Sequence, residues 1–68
     1  MARTLNDILA TTRSLRQEYY ARIVGNRIRI GVLPSVANAL LRRLKAIGAN
    51  IITVLYYRGY TYFQVKYQ

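Results

Sequence analysis

The clearest alternation of apolar and polar positions runs from Ser35 to Gly48, SVANALLRRLKAIG. There Val36, Ala37, Leu40, Leu41, Leu44 and Ile47 recur at helical spacing and form one broad apolar stripe. Such a stripe must face a core. Ser35, Asn38, Arg42 and Lys45 fall opposite it, so a hydroxyl, an amide and two cations share one exposed edge. That edge suits contact with phosphates and base edges, although charged outer faces are also the rule on solvated helices. Gly48 stands where a helix end takes a positive φ.

Upstream, Thr4 and Asp7 have the spacing of a capping box, and Leu5, Ile8, Leu9, Thr12, Leu15, Tyr19 and Ile23 then lie along one side of a helix of about five turns. Gly25-Asn26 would end it. On this helix Glu18 and Arg22 form an i, i+4 pair, whereas Arg13 and Arg16 have no acidic partner and are open to phosphate. The next run, RIRIGV, alternates strictly, with Ile28, Ile30 and Val32 on one face and Arg27 and Arg29 on the other, which predicts a strand. Pro34, with its fixed φ and no N–H, marks strand exit and helix entry.

After Gly48 the pattern predicts a hairpin turning at Arg58-Gly59. A two-residue turn places Val54 opposite Phe63 and Ile52 opposite Val65, facing the helices. Leu55 then meets Tyr62 and Tyr57 meets Tyr60 on the other face, beside Thr53, Gln64 and Lys66. That second face is aromatic and basic where a purely solvated face would be mostly charged. The expected architecture is α+β: a small two-layer domain over residues 1–68, ordered helix, strand, helix, strand, strand, with a C-terminal β-hairpin.

Composition narrows the function. Eleven Lys and Arg against two acids give a net charge of +9 and a pI near 10.7. A small domain so charged repels itself unless an anionic partner neutralises it, nucleic acid first and acidic lipid next. With no cysteine and no histidine, disulfides and thiolate or imidazole metal sites are excluded by inventory. The 53% hydrophobic content, with seven tyrosines, is ample for a packed core. No apolar run approaches the roughly 18 residues of a membrane span, and Arg3 is followed by no apolar signal segment. An intracellular location, in cytoplasm or nucleoid, is expected. Asp7 and Glu18 are the sole carboxylates and would sit about 16 Å apart on the predicted helix, and the scattered glycines make no phosphate loop. Neither an enzyme nor a cofactor is expected.

The run LKAIGANIITVLYYRGYTYF resembles the end of a winged helix-turn-helix domain of the biotin-operon-repressor type. Leu44, Lys45, Gly48, Ile51, Thr53, Val54, Arg58, Gly59 and Tyr60 stand where that pattern wants them, with the wing slightly longer. The resemblance implies that Asn38, Arg42 and Lys45 face the major groove of DNA and that Arg58 reaches backbone or minor groove. It departs from the family directly before the helix, where Arg27 to Val32 alternates like a strand. Ile30, Gly31, Pro34, Arg58 and Gly59 are also similar to positions in the archaeal chromatin protein Alba, although Val32 and Leu33 replace that family's lysines. The expected function is non-enzymatic nucleic-acid binding, DNA before RNA, as a small transcriptional regulator or chromatin-type protein. Phosphate contacts fall to Arg27, Arg29, Arg42, Arg43, Lys45, Arg58 and Lys66, and base-edge or stacking contacts to Asn38, Tyr60 and Tyr62. Tyr19, Tyr20 and Tyr67 are expected in core or interface. The alternative is a structural or interaction protein, a homodimer or a subunit of a larger assembly, that uses its tyrosine-rich sheet and an edge strand at its C-terminus.

Overall fold

The computed structural model describes residues 4–68, so Arg3 lies outside the described residues. Two helices, α1 (Leu5–Arg13) and α2 (Pro34–Ala46), cover one face of a four-stranded sheet. Its strands are β1 (Tyr19–Val24), β2 (Arg27–Val32), β3 (Asn50–Tyr57) and β4 (Tyr60–Lys66), all antiparallel, in the spatial order β1-β2-β4-β3. The class is α+β, as the patterning predicts, with one strand more.

The core lies between α1, α2 and the two central strands. Ile8, Leu40 and Leu44 from the helices meet Ile28, Ile30 and Val32 of β2 and Phe63 and Val65 of β4, all fully buried. These are the positions that helical and alternating periodicity assign to the inside. Thr4 accepts a hydrogen bond from the Asp7 N–H (3.2 Å) and starts α1. The end of α2 is a Schellman motif: Gly48, at φ +75°, donates to the Lys45 carbonyl, and the Ala49 N–H reaches the Leu44 carbonyl.

The helix expected from Thr4 to Ile23 stops at Arg13. Arg16 adopts a left-handed φ of +54°, which no helix continues through, and the chain re-enters as β1. The ambiguity is geometric. Leu15, Tyr19 and Ile23 are four residues apart, a spacing that keeps side chains on one side of a helix and also on one face of a strand. Gly25-Asn26 is accordingly a hairpin turn between β1 and β2, with φ +61° at its first residue. Glu18 and Arg22 therefore share no helix face.

In the second hairpin Val54 pairs with Phe63, Leu55 with Tyr62 and Tyr57 with Tyr60, as expected. Ile52 does not meet Val65. A bulge between Ile51 and Thr53 leaves Ile52 unpaired and puts Ile51 opposite Val65. The last strand is not an edge either, because β4 lies between β2 and β3, and the sheet's edges are β1 and β3.

Candidate nucleic-acid interface

The helices cover one face of the sheet only. On the open face the register places side chains in rows across the strands. Arg22 sits directly opposite Arg29, which continues to Gln64 and Thr53; in the next row Val24 faces Arg27, which faces Lys66. Towards the other end Tyr20 faces Gly31, then Tyr62 and Leu55, and beyond them Tyr60 pairs with Tyr57. The face therefore grades from a basic end to an aromatic end.

The basic end holds two like-charged pairs, Arg22 with Arg29 and Arg27 with Lys66, in direct cross-strand register. Directly opposed like charges destabilise an antiparallel pair, by a few tenths to 1 kcal/mol each. Neither carboxylate relieves them: Asp7 lies on α1 and Glu18 precedes β1. Arg27 Nη1 donates to Gln64 Oε1 (3.1 Å), a neutral partner that orients the guanidinium and leaves its charge.

At the aromatic end Tyr62 lies over Gly31, its Cε1 2.7 Å from where a Cβ at that position would stand. The missing side chain makes room for the ring. Tyr60 and Tyr62 are tilted neighbours with centroids 6.3 Å apart. A shallow concavity of about 460 Å³ opens here, walled by Tyr20, Tyr57, Tyr62 and Leu55, with Arg29, Thr53 and Gln64 supplying polar groups. Rings with an amide and a hydroxyl beside them suit a nucleobase, which stacks through its face and hydrogen-bonds through its edge.

The ten residues singled out from sequence fall on two sides of the molecule. Arg27, Arg29, Tyr60, Tyr62 and Lys66 share the open face of the sheet, with Arg58 at the β3–β4 turn. Asn38, Arg42, Arg43 and Lys45 belong to α2, in the helix layer. Two of the helix-layer cations have local structural work: Arg43 Nη1 donates to Ser14 Oγ (2.8 Å), tying the end of α1 to α2, and Arg13 Nε donates to the Tyr19 hydroxyl (2.9 Å). Arg58 lies over the Tyr57 ring at 5.3 Å and donates from Nε to its hydroxyl (3.0 Å).

Sequence reasoning missed Tyr20 and Arg22. Both belong to the strand read as helix, and both face the open side, where Tyr20 is half exposed. The missed signal was Gly-Asn between two β-branched runs, which marks a hairpin. Tyr19 and Tyr67 do pack against the core, and the Tyr67 hydroxyl donates to the Gly25 carbonyl (2.9 Å). Among the described residues no helix is long and apolar enough to cross a membrane, and no cluster of acidic side chains could hold a metal ion. No protein-family model matches the chain, and neither the curated proteins nor the solved structures compared with it give a match.

Proposed function

We propose that this protein is a non-enzymatic nucleic-acid-binding module that holds a single strand across the open face of its sheet. The observation that carries the reading is the two like-charged register pairs, Arg22 with Arg29 and Arg27 with Lys66, on the face that also carries the tilted pair Tyr60 and Tyr62. A phosphate backbone relieves that repulsion, and the neighbouring rings take the bases. The cations of α2 favour the rival arrangement, a duplex docked on the helix, as the winged-helix resemblance implies. Lys45 and Arg43, however, already complement the C-terminal end of the α2 dipole.

Titration of a fluorescent single-stranded oligonucleotide, in DNA and RNA versions, across salt tests the reading. Four phosphate contacts predict a slope of log K against log salt near −3, at about 0.7 per contact on single strands. Arg22→Ala with Arg29→Ala lowers the magnitude of that slope by about 1.4, whereas Arg42→Ala with Lys45→Ala leaves it nearly unchanged. A salt-independent affinity, or loss confined to the α2 pair, overturns the proposal.

A further inference from the structure

The two helices leave both margins of the sheet uncovered, and the margins differ. At β3 the apolar side chains are exposed on both faces: Val54 (48% exposed) and Tyr56 (66%) on the helix side, Leu55 (57%) and Tyr57 (53%) on the open side. The outer edge of β3 has no strand beside it. Soluble proteins blunt such edges with lysine, proline or a covering loop. None of the first two occurs between Asn50 and Tyr57, and the bulge at Ile52 disturbs the first half of the strand alone.

We infer that β3 is where a second copy of this chain pairs, antiparallel across a two-fold axis, to make one eight-stranded sheet. The occupant follows from charge. Two molecules of +9 approach only where no cation meets a cation, and the chain carries no charged residue between Lys45 and Arg58. For an axis anywhere between Thr53 and Leu55, Arg58 of one copy falls opposite uncharged residues 48–52 of the other. The β1 edge fails the same test, because Arg22 lies near its middle, already opposed by Arg29. The outer edge of β3 offers the phosphates of a polyanion no cation. With the axis at Leu55, Val54 of each copy lies opposite Tyr56 of the other on the helix side, while on the open side Leu55 meets Leu55 and Tyr57 lies opposite Thr53.

The apolar area available is on the order of 500 Å² per copy, and with the backbone of the new strand pair it approaches the roughly 800 Å² per partner of a standard interface. Leu55 and Tyr57 also wall the concavity on the open face, whereas Val54 and Tyr56 lie on the helix side, so the two readings are separable at those residues.

Sedimentation equilibrium of nuclease-treated protein, in about 0.5 M salt so that repulsion is screened, measures it. The expected result at concentrations on the order of 100 μM is a mass twice the 7.9 kDa of the chain. Val54→Lys and Tyr56→Lys, both at exposed positions, each weaken the dimer by tenfold or more, because every substitution enters a symmetric interface twice. Ile23→Lys, on the β1 edge, leaves it intact. Hydrogen exchange of the wild type adds a readout that needs no variant: β3 amides gain protection with concentration. A monomer throughout that range, a dimer indifferent to both β3 lysines, or protection gained at β1 instead of β3 overturns the inference.

Discussion

A Cβ at position 31 would stand 2.7 Å from Cε1 and 3.0 Å from Cδ1 of Tyr62, closer than carbon atoms approach without something moving. The ring is the part that moves, since it turns about its own side-chain bonds while β2 and β4 are held by their ladders. Gly31→Ala therefore displaces Tyr62 more than it disturbs the fold, and the loss of glycine's unfolded-state freedom offsets part of the strain. The expected outcome is a thermal midpoint within a few degrees of wild type, about 1 kcal/mol or less at this size. Single-strand affinity meanwhile falls roughly five- to a hundredfold, the worth of one base stacked on an aromatic ring. Tyr62→Ala loses the same amount, and the double variant loses no more than either single one. Additive losses would show that Tyr62 takes its place without help from Gly31.

At the scale of elements, the β3–β4 hairpin turns on two residues of positive φ, Arg58 (+50°) and Gly59 (+83°), the backbone of a type I′ turn. An arginine there carries the left-handed penalty of about 1 kcal/mol or more, and its contact with the Tyr57 ring returns a part of it. Arg58→Asn creates the Asn-Gly pair such turns favour, and raises stability by about 0.5 kcal/mol, a few degrees of midpoint in a thermal melt. A lower midpoint would mean that the stacking of Arg58 on Tyr57 outweighs the turn. This hairpin was legible in the sequence because turn and alternation agree from Thr53 to Gln64. It became illegible at Ile52, where a bulge shifts the alternation by one and both Ile51 and Ile52 are apolar. The stripe of α2 and the arginines of β2 were legible because one period alone fits them. Residues 15–23 were not, since a spacing of four satisfies both periods. With β1 went Arg22 and Tyr20, and with them half of the charge opposition on the open face.

Over the whole molecule, charge is not confined to one side. Arg42, Arg43 and Lys45 on α2, with Arg13 at the end of α1, load the helix layer, Arg16 lies in the connection to β1, and Arg22, Arg27, Arg29 and Lys66 load the sheet. The two differ in arrangement: the helix cations follow a solvated surface and partly bond to Ser14 and Tyr19, whereas the sheet cations are forced into opposition by register. With two carboxylates in the chain, attraction between charges cannot offset the repulsion among eleven cations. Salt therefore acts on folding and on binding with opposite signs. Raising sodium chloride from about 0.05 to 0.5 M screens the repulsion, with the Debye length falling from about 14 to 4 Å, and lifts the thermal midpoint by several degrees. The same change lowers single-strand affinity by about a thousandfold through counterion release. A fold held by ion pairs would lose midpoint over that range. Melting curves and oligonucleotide titrations at matched salt read the two signs directly, and a midpoint that falls alongside affinity would mean that repulsion is not what the anionic partner relieves.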